Sequence, residues 1–404
     1  MLRVALYGIH GLYNYGCEAI VRGAYQFLSD TFPGCRITYY SYRSSQDAAQ
    51  ISDIPITVTP LKENNSLARR GANKLLQKLG AEHRLPRFDY ADVVDNNDII
   101  VSIGGDIYTI PEYKRSQANY EYYSPLVQFG DYIKRRGKKL VIYGASIGPF
   151  GSYEKAVNYY QRHLNSADCI IAREQECVNY LSSIGIEDNV VFMPDPIFAI
   201  RFPNHTETRK NAIAINLSPL SMRELTGTSE DTENRMASLL VALQEATGAE
   251  IILVPHVLSH DIRDNDYEYL AKIVECLPER ARDHFTLTKP ESLFEANCIL
   301  AQCKAAIAAR MHCALNAAIA GTPPLFIAYS SKANGMAQLI YGTKEWVAPL
   351  KDLDSVESKA IDLTSNAPTV AAMTTSNVEH WRKLYTSGQC SDQLRTILGI
   401  NSLE

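Results

Sequence analysis

Ala305-Ala306-Ile307-Ala308-Ala309-Arg310-Met311-His312-Cys313-Ala314-Leu315-Asn316-Ala317-Ala318-Ile319-Ala320-Gly321-Thr322-Pro323-Pro324-Leu325 is the stretch whose reading decides the fold. It opens as a short apolar run that reads as a buried strand and stops at Arg310 and His312. A small-residue helix follows, closed by Gly321 and by two prolines that start the next strand. Arg310 and His312, two residues apart at the end of an extended segment, are expected to point to the same side. The helix N-terminus behind them favours an anion. Lys332 comes just beyond the next apolar run, Pro324 to Ala328. Open parallel sheets bind ligands outside the carboxyl ends of their strands, so the three groups are expected to meet at one strand edge.

The same alternation extends in both directions. Leu2 to Tyr7 reads as a first strand, Gly8 to Gly16 as a glycine-punctuated loop and Cys17 to Leu28 as a helix, the opening of a Rossmann-like half. The glycine spacing is not GxGxxG, so no dinucleotide is inferred; Gly8 and Gly11 either admit a ligand or simply permit the turn. Strands are expected at Arg36 to Tyr40, Ile54 to Val58, Asp98 to Ile103, Leu140 to Tyr143, Asp168 to Ala172 and Asn189 to Met193. Gly104-Gly105-Asp106 follows one of these, where a Gly-Gly pair gives either a plain turn or a close backbone approach to a ligand. Tyr108, Tyr113, Tyr120, Tyr122 and Tyr123 have the look of a sugar-contacting loop, or of ordinary surface tyrosines. Residues 62–94 are basic, polar and weakly periodic, and a helical excursion is expected there.

A proline-rich passage from Pro194 to about Lys210 marks the junction between an N-terminal domain, residues 1–200, and a C-terminal one, residues 201–404. The second half starts afresh, with strands at Ala212 to Asn216, Glu250 to Val254, His284 to Leu287, Ala305 to Ala309 and Pro324 to Ala328. Two βα arrays predict an α/β chain of two Rossmann-like domains with a cleft between them. A final helix, Thr375 to Leu398, is expected to pack back on the first domain.

Bulk composition narrows the function. Hydrophobic residues at 46% and charged residues at 21% are those of a globular protein, and a net charge of −5 argues against nucleic acid as a partner. No apolar run reaches the length of a membrane span, and Met1 to Tyr7 gives way at once to polar residues, so no signal-peptide core is expected. Nine cysteines without paired spacing point to reduced thiols and a cytoplasmic location. The basic stretch Lys62 to Arg87 is read either as a peripheral contact with the inner face of a membrane or as a solvated helix face. His256 with His260, Asp261, Asp264 and Asp266 is the one cluster that suggests a metal, and it lacks convincing ligand spacing.

Taken in order, GIHGLYNYGCEAI (8–20), SIGGD (102–106), GASIGPF (144–150), Ala172-Arg173-Glu174, Asp195-Pro196, Val254-Pro255-His256 and ARMHCALNAAIAGTPPLFIAYSSK (309–332) resemble the polysaccharide pyruvyl transferase family. One departure is Cys17, which stands where the family pattern carries an acidic residue after the second glycine. The resemblance implies a GT-B-like fold. It also implies transfer of a pyruvyl group from phosphoenolpyruvate to two hydroxyls of one sugar, as a ketal, in cell-surface or capsular polysaccharide biosynthesis. The acceptor so implied is a saccharide, often lipid-linked. Arg310, His312, Lys332 and Arg173 are the positions carried over.

The chemistry suits those residue types. Ketal formation needs a proton at the methylene carbon of phosphoenolpyruvate, and histidine is the natural acid near neutral pH, which assigns His312. Arg310 and Arg173 suit the donor's anionic groups as bidentate cations, and Lys332 suits its phosphate as a point charge. Arg173 has the alternative of pairing with Glu174 or Glu176. Arg223 and His256 are further candidates for the donor side, and Asn14, Gly104, Gly105 and Asp106 for the acceptor, placed against the first domain. The scheme requires neither metal nor other cofactor, because the cations neutralise developing charge themselves. The rival reading is a GT-B-like glycosyltransferase using a nucleotide sugar.

Overall fold

The structure is a computed structural model that describes residues 1–64, 66–205, 208–226, 232–328 and 332–400. The chain divides into two compact units: residues 1–12, 20–199 and 384–404 form one, and residues 13–19 and 200–383 the other.

The first unit is built on seven parallel strands: β1 (Arg3–Tyr7), β2 (Arg36–Ser41), β3 (Thr57–Pro60), β4 (Ile99–Ile103), β5 (Lys139–Ala145), β6 (Cys169–Ala172) and β7 (Val190–Phe192). Their order is β3-β2-β1-β4-β5-β6-β7. Central strands such as β4 (IIVSI) are buried on both faces, which is why they read as unbroken apolar runs rather than alternating ones. The sheet reverses its winding between β1 and β4, paired Val4 to Ile99 through Tyr7 to Ser102. Gly8 leaves this point at φ +116°, and a Cβ there would lie 2.4 Å from the Ile103 carbonyl oxygen, so only glycine fits the turn. The expected strand at Ile54 to Val58 runs instead from Thr57 to Pro60, because Pro55 has no N–H to give a ladder.

The second unit repeats the plan with six parallel strands: β8 (Ala212–Asn216), β9 (Glu250–Leu253), β10 (Phe285–Leu287), β11 (Ala305–Ala308), β12 (Pro324–Ala328) and β13 (Val347–Pro349). The order is β10-β9-β8-β11-β12-β13, so its switch point lies between β8 and β11. The edge strand β13 is three residues long, too short to announce itself by periodicity.

Of two further expected helical segments, the first is present and the second is divided. The excursion at 62–94 contains helices at Leu67–Lys78 and Tyr90–Val94. The C-terminal helix is two helices, Ala367–Thr386 and Gln389–Leu398, broken at Gly388, whose φ of +81° no helix continues through. The second of these belongs to the first unit, where Ser391 Oγ lies 2.9 Å from Thr31 Oγ1 and Arg395 donates to the Thr31 carbonyl at 2.8 Å.

Candidate active site

The switch point of the second unit gathers the candidate residues. β11 ends at Ala308, and Arg310 is the N-cap residue of the Met311–Ile319 helix, its own side chain making no capping bond. The expectation that Arg310 and His312 alternate along an extended segment is therefore corrected. The helix starts between them, so the period-two rule does not apply and each side chain has its own surroundings.

Arg310 is held at its backbone and at its guanidinium. Its N–H donates to Asn216 Oδ1 at 2.9 Å, which ties the end of β11 to the end of β8. Its Nε and Nη2 donate to Asp266 Oδ1 at 3.1 and 2.8 Å, and Nη2 donates to Asp264 Oδ1 at 2.6 Å. Burial disfavours the charge, but Asp266 and Asp264 outweigh it and keep Arg310 protonated. Nη1 makes no hydrogen bond among the described residues, and the side chain keeps 15% of its surface. Asp266 has no exposed side-chain surface, and burial pushes its carboxyl up against the opposing pull of Arg310. Its Oδ2 accepts from the N–H groups of His256 and Val257, both at 3.1 Å, and from Asn216 Nδ2 at 3.2 Å.

His256 lies buried at the end of the β9 loop. Burial first, then the charges of His312 and Arg310, hold its pKa well below the usual histidine range. A neutral ring accepts a hydrogen bond, as His256 Nε2 does from Asn316 Nδ2 at 3.4 Å. Asn316 is fixed in turn by Asn297, whose Nδ2 donates to its Oδ1 at 2.8 Å. The ring of Tyr15 packs edge-on to His256, with centroids 5.5 Å apart.

His312 stands in the first turn of its helix, half-buried and in contact with Gly16. A Cβ on Gly16 would fall 2.7, 2.8 and 2.9 Å from Nδ1, Cγ and Cβ of His312. The absence of a side chain at Gly16 is what makes room for the imidazole. Asn14 Oδ1 accepts the Gly16 N–H at 2.9 Å, and Tyr15 N–H donates to the His256 carbonyl at 3.0 Å. The Tyr15 bond, with that from the Leu258 N–H to the Tyr13 carbonyl at 2.9 Å, ties residues 13–19 to the second unit. Asn14 therefore belongs with His256 and His312, not with the first unit to which the acceptor residues were assigned. Glu18, with no exposed surface, accepts from the Leu293 N–H at 3.2 Å, at the first turn of the Leu293–Ala301 helix.

Of the remaining candidates, Arg173, Gly104, Gly105 and Asp106 belong to the first unit. Arg173 is in the first unit and 1% exposed; it donates to Asp195 Oδ2 at 2.9 Å, Ser146 Oγ at 2.8 Å and Glu174 Oε1 at 3.3 Å, with Asp106 Oδ1 at 3.8 Å. Burial opposes its charge, but Asp195, Glu174 and Asp106 outweigh burial. Of the two readings of Arg173, pairing with Glu174 is present and is part of a larger buried network. Gly105 adjoins this network: its carbonyl accepts the Ser146 N–H at 2.8 Å. Gly104 adjoins Ile107. Tyr120, Tyr122 and Tyr123 line, with Tyr153, Glu82 and Asn119, a cavity of about 400 Å³ in the first unit. Arg223 lies in the Pro219–Thr226 helix and Lys332 opens the Lys332–Tyr341 helix, and their side chains lie outside the described residues. The carboxylates weighed as metal ligands are engaged by arginines: Asp261 with Arg263 at 2.7 Å, Asp264 and Asp266 with Arg310.

Sequence reasoning missed Gly16, Asn216, Asn316 and the role of Asp264 and Asp266. Gly16 and Asn316 sit inside the quoted blocks, so their position was visible and only their contacts were not. Asp264 and Asp266 carry no signal that separates an arginine anchor from a metal ligand until the loop is folded.

Comparison with known proteins agrees with the fold and names a family. The model of the polysaccharide pyruvyl transferase family matches residues 14–331. No curated protein matches the chain. Among solved structures, a UDP-GlcNAc 2-epimerase of Neisseria meningitidis bound to UDP-GlcNAc aligns with a TM-score of 0.61 at 11% identity, over 99% of this chain and 100% of that one. A ugt transferase of Siraitia grosvenorii in complex with UDP aligns at 0.55 and 11%, over 99% and 100%. The UDP-GlcNAc 2-epimerase of Methanocaldococcus jannaschii aligns at 0.53 and 11%, over 91% and 93%. These likenesses show a GT-B-type fold of two α/β domains.

Proposed function

Because this chain belongs to the polysaccharide pyruvyl transferase family, we propose that it transfers the pyruvyl group of phosphoenolpyruvate to two hydroxyls of one sugar, releasing phosphate, in cell-surface or capsular polysaccharide biosynthesis. The observation that carries the reading is the second-unit cluster: a cationic Arg310 whose Nη1 has no partner among the described residues, a helix N-terminus that the Arg310 side chain does not cap, and His312 seated beside Gly16.

In this reading the donor's anionic groups take Nη1 of Arg310 and the first N–H groups of the Met311–Ile319 helix. Lys332, Arg223 and His256 complete the donor side. His312 gives its proton to the methylene carbon, which becomes the methyl group, and the adjacent carbon turns electrophilic. A sugar hydroxyl adds there and its proton returns to His312. The carbon–oxygen bond to phosphate then breaks, the second hydroxyl closes the ketal, and its proton leaves with phosphate. Two hydroxyl protons enter and two leave, one in the methyl group and one on phosphate. Asn14, whose Oδ1 holds the Gly16 N–H, and Gly104, Gly105 and Asp106 are proposed to meet the acceptor. Arg173, spent on Asp195 and Glu174, is assigned to holding the Gly105 and Ser146 loops rather than to donor contact.

A nucleotide sugar donor is the second reading, favoured by the fold shared with proteins bound to UDP and UDP-GlcNAc. Thermal unfolding with each ligand separates the two, since a ligand of the native state raises its stability by mass action. The proposal expects a rise with phosphoenolpyruvate and none with a panel of nucleotide sugars. The reverse pattern would replace the donor.

A further inference from the structure

The Leu67–Lys78 helix of the first unit buries none of its residues. Its sequence, LARRGANKLLQK followed by Leu79, carries two rows at four-residue spacing: Leu67, Gly71, Leu75 and Leu79, and Arg70, Lys74 and Lys78. Residues four apart stack on one helix face, so a leucine ridge runs beside a cationic ridge. Both ridges face outward. Leu67, Leu75 and Leu79 are 83%, 60% and 72% exposed. The half-buried side carries Arg69, Ala72, Asn73 and Leu76; Arg69 donates to the Pro86 carbonyl at 3.0 Å, and Asn73 exchanges hydrogen bonds with Leu85 at 3.1 and 2.7 Å.

Three of its four leucines, counting Leu79, thus face outward, where a surface helix usually turns its apolar stripe to the core. Charge is segregated here as well. Residues 62–87 carry seven basic and two acidic side chains, in a chain whose net charge is −5. An apolar ridge alone would fit any greasy partner, and a cationic one any polyanion. Side by side on one exposed face, they fit a surface with anionic headgroups over an acyl boundary. No helix among the described residues is long and apolar enough to cross a membrane, so the contact would lie in the interface plane.

We propose that the Leu67–Lys78 helix docks this chain onto an anionic phospholipid bilayer. The proposal does not depend on the identity of the donor. Its test is sedimentation of the full chain with vesicles of phosphatidylcholine alone and of phosphatidylcholine mixed with phosphatidylglycerol. Wild type is expected to bind the mixed vesicles and to be released by salt. Lys74→Gln with Lys78→Gln should weaken that binding about 30-fold, at about fivefold per charge. Leu75→Ser with Leu79→Ser should weaken it by about tenfold or more for each side chain. Both pairs are exposed, and unchanged thermal unfolding checks that the fold is intact. A wild type that stays in the supernatant, or binding that survives both double variants, overturns the proposal. So does retention on heparin that needs the lysines but not the leucines, in a protein that ignores vesicles.

Discussion

Gly16→Ala is the perturbation that most cleanly addresses the seat of His312. The added methyl group would lie 2.7 to 2.9 Å from three atoms of His312, 0.5 to 0.7 Å short of the 3.4 Å at which ordinary contact begins. One of those atoms is the histidine Cβ, so rotating the ring does not relieve the clash and the helix turn or the residue must retreat. Overpacking of this kind costs roughly 1–3 kcal/mol, while replacing glycine by alanine inside a helix returns up to about 1 kcal/mol. The net loss of stability is expected at about 0–3 kcal/mol, within what a folded domain tolerates. Turnover is more sensitive, since a displacement of about 1 Å at a reacting group costs about 100-fold. Gly16→Ala is expected to lower kcat by about 10- to 100-fold, read as phosphate release, with a shift of a few degrees in Tm. A double-mutant cycle locates the effect: in a His312→Gln background, which lacks the catalytic acid, the glycine substitution should cost almost no further turnover, while its cost in stability persists because glutamine keeps the Cβ. Full turnover in Gly16→Ala, or an undiminished loss of turnover in the His312→Gln background, would refute the argument.

Three other outcomes follow from the same geometry. Asp266→Asn leaves Arg310 facing only the partly exposed Asp264, and denaturant unfolding should report a loss of about 3 kcal/mol; a loss below about 1 kcal/mol would mean that the pair does not anchor the site. His256 has its folded pKa below the unfolded value of about 6.5, so the unfolded chain takes up the extra proton in acid; the stability contributed by the neutral ring is complete above about pH 6.5 and is lost below it at up to about 1.4 kcal/mol per pH unit, and His256→Gln should flatten that part of the curve. Arg173→Lys removes the fork that joins Asp195, Glu174 and Ser146 and should cost about 3–5 kcal/mol of stability; unchanged stability with lost phosphoenolpyruvate binding would return Arg173 to the donor site.

The parallel sheets were legible because their strands are buried on both faces. Runs such as Ile99 to Ile103 and Ala212 to Asn216 have no polar alternation to blur, and their bounds came close to those observed. Edges were less so: β3 is half-exposed and displaced by Pro55, and β13 has three residues. Arg310, His312 and His256 could be picked out as chemistry-bearing residues at strand ends, and the structure places them in one cluster. What the sequence could not carry was partnership. The long-range bonds from Asn216, Asp264 and Asp266 to Arg310, and the contact of Gly16 with His312, connect residues 44 to almost 300 positions apart, and no local pattern encodes them. The exchange of residues 13–19 into the second unit is invisible for the same reason, since the helix that begins at Tyr15 continues unbroken into the first.

The most direct test of pyruvyl transfer is to incubate the protein with phosphoenolpyruvate and a panel of saccharides bearing free vicinal or 1,3-diols, following phosphate release and the mass of the sugar. Wild type should release phosphate only with an acceptor present, in step with a sugar that has gained one pyruvyl group as a ketal, and His312→Gln should do neither while still binding phosphoenolpyruvate. A sugar that instead gains a glycosyl residue from a nucleotide donor, or ketal formation at full rate in His312→Gln, would contradict the account.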